Sequence, residues 1–206
     1  MPQPLTQPLD DARADAIGQV FDRYDPPLWL ITSAHGERRG GLIATFAVRA
    51  SIVPSLPRMV IGVAKHHHTW RLIEGSGGFA LHLLHAHQID LVRRFGLASG
   101  HQTDKFAGLP RSLTPGGQPF IADALAWLDC RCEARLDTGD RTLYLAAVTD
   151  GATIAGTSKR TMTVQSLFAG ASPADRSRLD ALYTRDGQID GAAILAWRGL
   201  TPGTLV

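Results

Sequence analysis

The 206-residue sequence predicts a mainly β protein with helices, an α+β fold in which an antiparallel β-barrel carries helices packed on it. Three observations predict it. At least six short runs are strand-like, polar turns link most neighbouring runs as hairpins, and only two or three helical patterns interrupt them. A Rossmann fold is disfavoured, because no GxGxxG follows a strand and "GGLIATF" lacks the third glycine and the helix that motif needs.

Taken in order, "DDARADAIGQVFDRYD" places Ala12, Ile17, Val20 and Phe21 at roughly helical intervals, giving a helix over about 10–24 that Pro26 and Pro27 stop. "LWLITSA" and "GLIATFAVRASIV" read as strands around the turn-rich "HGERRGG". After Pro54 and Pro57, "RMVIGVA" suits a buried strand. Thr69 is the expected N-cap of a helix with Leu72 and Ile73 on its apolar side, which Gly75, Gly77 and Gly78 end. "GFALHLL" is a strand, and "HQIDLVRRFG" a second helix. The long Gly- and Pro-marked connection "LASGHQTDKFAGLPRSLTPGGQP" follows.

The clearest β signal is late. "ALAWLDCRCEARL" and "RTLYLAAV" alternate around the turn "DTGD", and strand alternation puts Cys130, Cys132, Ala134 and Leu136 on one core face. A further strand is expected over "MTVQSLF". From Ser172, with Pro173 at the first helical position, a helical extension covers about 172–199 as "PADRSRLDALYTRD" and a second piece, "GAAILAWRG". The whole chain, 1–206, reads as one domain.

Composition narrows the function. Twenty-one basic and 19 acidic residues are mixed along the chain, so no basic stripe argues for nucleic acid. The N-terminal stretch lacks the order of a signal peptide and no 18 apolar residues run together, so a cytoplasmic protein that does not enter a membrane is expected. The two cysteines, neighbours on one strand face, read as core residues and not as a disulfide.

"KHHHTW", residues 65–70, is the main chemical candidate. Alternation lets at most His66 and His68 converge, and neither HExxH nor a Cys/His spacing accompanies them, so no metal site is expected; solvated loop histidines are the plain alternative. An anion fits better. Lys65 follows a strand, the histidines can donate hydrogen bonds, and Thr69 opens a helix whose free N–H groups attract phosphate. A serine hydrolase is disfavoured by the lack of a GxSxG elbow.

The order of motifs resembles the flavin reductase-like family of FMN-binding split-barrel proteins. The matching pieces run from "PLWLITSAHGERRGG" through "KHHHTWRLIEGSGGFALHLL" and "DKFAGL" to "ADALAWLDCRCEARLDTGDRTLYLAAVTDG", about residues 24 to 151. The resemblance implies FMN, with FAD as an alternative, lying against a split barrel near a homodimer interface. The family's flavin-edge run falls on Ile43, Ala44, Thr45, Phe46, Arg49, Ala50 and Ser51, with Pro27, Leu28 and Trp29 beside it. Its phosphate loop falls on Lys65, His67, His68 and Thr69. Arg49 replaces a polar residue of that run and can grip phosphate bidentately. At the late hairpin Asp140 and Arg141 stand where reductases of the family commonly have Asp-His on the nicotinamide side, and His82 stands where the family often has Asn. The resemblance further implies a reductase that passes hydride from NAD(P)H to flavin, with a partner monooxygenase as one acceptor. No side chain is expected to act as a catalytic proton donor. A split-barrel flavoprotein without NAD(P)H activity, carrying electrons or only binding flavin, is the alternative.

Overall fold

The computed structural model describes residues 8–98, 100, 103–154 and 160–199. Its helices and strands are α1 (Asp11–Phe21), β1 (Trp29–His35), β2 (Arg38–Ala44), β3 (Ala47–Arg49), β4 (Arg58–Ala64), α2 (His68–Ser76), β5 (Gly78–Leu83), α3 (Ile89–Gly96), β6 (Ala126–Asp137), β7 (Arg141–Thr153), α4 (Val164–Gly170) and α5 (Pro173–Trp197). The seven strands form one antiparallel sheet in the order β2-β1-β5-β6-β7-β4-β3.

This order forces the sheet to curl. The two edge strands, β2 and β3, are joined by Thr45 and Phe46 alone. Laid flat, six inter-strand steps would separate the edges by roughly 29 Å, while two linking residues reach at most about 10 Å. The sheet therefore bends into the half-barrel of the expected split-barrel fold. The single long strand expected over "GLIATFAVRASIV" is thus two short ones, broken where Phe46 lies over Gly62. A Cβ at Gly62 would collide with the Phe46 ring.

Inside the curl, Ile31, Ile61, Phe79, Leu81, Tyr144 and Ala146 make the main core. A second cluster, with Leu28, Leu84, Val92, Phe95, Phe106, Met162 and Leu167, lies under α3 and α4. Gly36 takes the turn between β1 and β2 at φ +60°, a conformation that costs glycine nothing.

Four expectations need correction. "MTVQSLF" is not a strand. Thr161 and Thr163 make only isolated bridges, and the chain then turns into α4, capped by reciprocal bonds between Thr163 and Ser166. The C-terminal extension is one helix of 25 residues, running unbroken through Gly187 and Gly191. The cysteine face holds only as far as Cys132. Register shifts between Asp129 and Cys130 and between Cys132 and Ala134 leave Cys130 buried, Cys132 half-buried and Leu136 61% exposed. The histidines are not all solvated. His82 is fully buried, with Ile121 N–H donating to its Nε2 at 3.2 Å and the Leu30 carbonyl 3.3 Å from its Nδ1, and His85 is 2% exposed. No helix among the described residues is long and apolar enough to cross a membrane.

Candidate functional site

Residues that lie far apart in sequence meet around a cavity of about 470 Å³ between β2, the loop into α2, α3 and α5. Of the expected cofactor residues, Leu28, Ile43, Thr45, His67, His68 and Thr69 line it. The strand that ends in Ile43 and the loop that starts α2 are held together by close packing. A Cβ at Gly40 would sit 2.8 Å from Leu72 and 3.3 Å from the Thr69 hydroxyl. Gly41 brings the Phe95 ring equally close.

The helix start differs from the sequence reading in one respect. His67, not Thr69, is the N-cap of α2, and it caps without a side-chain hydrogen bond. Thr69 is one residue inside the helix and 2% exposed. The first turn of α2 therefore lacks the side-chain acceptor that usually satisfies its N–H groups, and it borders the cavity. His67 is largely buried. Burial, reinforced by the neighbouring His66, lowers its pKa to about 4, so at neutral pH it is an uncharged donor or acceptor.

Other expected residues lie elsewhere. Lys65 points away, donating to both oxygens of Asp137 at 2.6 and 2.7 Å. Arg49 donates to the Ser51 carbonyl on an exposed turn, so the expected guanidinium grip is not formed at the cavity. Ala50 and Ser51 are on the same turn. Pro27 bridges Thr163, Ala44 pairs with Trp29, and Phe46 covers Gly62. Trp29 packs against the barrel core, its buried indole N–H lacking an acceptor. Arg141 pairs with the buried Asp140 carboxylate and donates to Asp190 Oδ2 at 2.7 Å.

Two groups of cavity residues were not among the expected site residues. Lys105 lines the cavity while 8% exposed, donating to the carbonyls of Gly41 at 3.1 Å and Phe95 at 2.7 Å. Burial lowers its pKa to about 8, while the Phe95 carbonyl at the end of α3 and the Gly41 carbonyl of β2 receive its N–H groups. From α5, Leu179, Leu182 and Asp186 close the far wall. Asp186 Oδ2 lies 3.7 Å from His66 Nε2, and Asp190 Oδ1 lies 3.4 Å from His66 Nδ1.

His66, His67 and Asp186 place one donor atom each within 4.8 Å of one another, so the two histidines that converge are 66 and 67 rather than 66 and 68. The cavity volume falls within the ordinary range for small-molecule and cofactor sites, about 300–1,000 Å³. Apolar walls at one end and an N–H-rich helix start with imidazoles at the other suit a long molecule with an aromatic body and an anionic tail.

A model described as "Flavin reductase like domain" matches residues 21–168. The high molecular weight rubredoxin of Moorella thermoacetica is 31% identical over 129 residues, 62% of this chain and 56% of that protein. The flavin-dependent monooxygenase reductase subunit HsaB of Mycobacterium tuberculosis is 30% identical over 129 residues, 63% of this chain and 66% of that one. The chain thus spans just over half the length of the first relative and just under two thirds of the second. Among solved structures, nitrilotriacetate monooxygenase component B from Mycobacterium thermoresistibile superposes with a TM-score of 0.65 at 24% identity, covering 75% of this chain and 84% of that chain. At that identity the likeness is one of fold.

Proposed function

Since the chain belongs to the flavin reductase-like family, we propose that it is an FMN-binding oxidoreductase whose flavin tail enters the cavity, and that it reduces the flavin with NAD(P)H. One observation carries the reading. Members of the two segments aligned with the family's flavin run and phosphate loop, Ile43 and Thr45 from the first and His67, His68 and Thr69 from the second, line a single cavity of suitable size.

When bound, the flavin supplies the acceptor for hydride from a nicotinamide. The chain's own residues then have defined tasks. The first turn of α2 offers N–H donors to the phosphate, and His67 and His68 flank it. Lys105, held by two carbonyls, adds positive potential inside the cavity. Leu28, Ile43, Val92 and Phe95 exclude water from the apolar part.

A homodimer completes the proposal. Val48, Ile52 and Leu56, on β3 and the turn after it, are 41%, 89% and 68% exposed, an apolar edge that a second copy would cover. The named role of one relative as a monooxygenase reductase subunit supports a partner monooxygenase as the acceptor of reduced flavin. One observation favours the second reading, a flavoprotein that does not use NAD(P)H. Arg141, in place of the family's nicotinamide-side His, is engaged by Asp140 and Asp190. Anaerobic mixing of the FMN-loaded protein with NADH and with NADPH separates the two. Rapid loss of the oxidised flavin absorbance supports the reductase, and a yellow complex that neither nucleotide bleaches refutes it.

A further inference from the structure

The face that α5 turns toward the barrel has an unusual composition. Between Pro173 and Asp190 the only positions that are not exposed are Asp175, Leu179, Leu182, Asp186 and Asp190, a single stripe at helical spacing. Ile189, next to the last of them, is 41% exposed. A helix docked by apolar burial alone would gain by rotating Ile189 inward, yet beside it this one presents the carboxylates of Asp186 and Asp190.

Those carboxylates have specific seats. Asp190 accepts from Arg141 at 2.7 Å and lies 3.4 Å from His66 Nδ1, and Asp186 lies 3.7 Å from His66 Nε2 within reach of His67. The helix is pinned at both ends. Arg93 donates to Asp175 at 2.9 Å near its start, and Trp197 packs against the turn glycine Gly139, where a Cβ would lie 2.6 Å from Trp197 Cβ. The stretch between the pins crosses the 65–69 loop.

We propose that α5 is an acidic latch, with Asp186 and Asp190 seated intramolecularly against the histidines of the 65–69 loop as carboxylate mimics of the phosphate that this loop accepts. The inference rests on the reading of that loop as a phosphate seat. A phosphate-bearing ligand then binds against a built-in competitor at an effective concentration set by the helix anchors. Binding displaces the two carboxylates and loosens α5 between residues 182 and 197. Reduced or oxidised flavin could thereby be released to an acceptor as the helix closes again, a cycle that needs no second effector.

The test uses the full chain and its Asp186→Asn/Asp190→Asn variant, with Asp180→Asn, an exposed position of the same helix, as the charge control. Dissociation constants are measured for FMN and for riboflavin, which lacks the phosphate. The double variant is expected to bind FMN at least about tenfold tighter, with riboflavin affinity unchanged and the control like wild type. Unchanged or weaker FMN binding, or an equal gain for riboflavin, overturns the latch. Hydrogen exchange keeps the two readings apart. If FMN binds neither protein, the phosphate seat fails, and the latch is judged by the amides of residues 182–197. Faster exchange in the double variant than in the control supports seated carboxylates, and equal protection refutes them.

Discussion

His67 provides a sharp prediction, because its charge state must respond to the ligand. In the free protein burial holds its pKa near 4, so at pH 7 it carries no proton beyond the neutral ring. A phosphate charge about 4 Å away contributes about 4 kcal/mol at an effective dielectric of 20. At about 1.4 kcal/mol per pH unit this raises the pKa by roughly 3, to about 7. FMN binding should therefore draw about half a proton onto His67 at pH 7. Affinity should be highest below the free pKa of about 4, fall as pH rises from there to the bound pKa of roughly 7, and level off above it. Calorimetry in two buffers of different ionisation enthalpy counts the protons. His67→Asn supplies the reference, since it cancels the phosphate's own titration. Wild type should take up about 0.5 proton more than the variant with FMN, and no more with riboflavin. Equal uptake by both proteins would refute the placement of phosphate beside His67.

Three further outcomes follow from the geometry. His82 is buried neutral with its pKa lowered to about 4 by desolvation, so it supports stability fully above pH 6.5 and loses that support as pH falls toward 4. The difference corresponds to at most about 3 kcal/mol, and denaturant unfolding at pH 7.5 and 4.5 should show a shallower acid loss for His82→Asn than for wild type. Lys65→Ala should change FMN affinity less than about fivefold, because the ammonium is held by Asp137 outside the cavity; a fluorescence titration decides it. Gly40→Ala should destabilise by about 1–3 kcal/mol in the same unfolding assay, since its methyl meets Leu72 at 2.8 Å and pushes α2 off β2.

The elements with strong local signals were legible. "RMVIGVA" is a strand over Arg58–Ala64, and the alternation on either side of "DTGD" becomes β6 and β7. What escaped depends on contacts between distant residues. Thr45 and Phe46 have ordinary strand propensity, and only the meeting of the two sheet edges breaks the chain there. "MTVQSLF" alternates like a strand, and the cap from Thr163 to Ser166 overrides that pattern. The two helical patterns near the end of the chain leave residues 187–190 between them, yet one helix runs through, with Asp190 and Trp197 anchored on the barrel. At the site, the order of motifs located the loop 65–69, but not which of its members face inward. Lys65 turns out to Asp137, and Lys105 enters from the long connection with only a short motif to announce it. The acidic stripe of α5 is readable as spacing, but its counterparts, His66 and Arg141, lie about 50 to 120 residues earlier in the chain.

The most direct measurement is a crystal structure of the protein saturated with FMN. The phosphate is expected within hydrogen-bonding reach of the backbone N–H groups of His68 and Thr69, with Ile43 and Thr45 against the same molecule. Flavin bound on another face of the barrel, with the cavity beside α2 empty of it, would contradict the account.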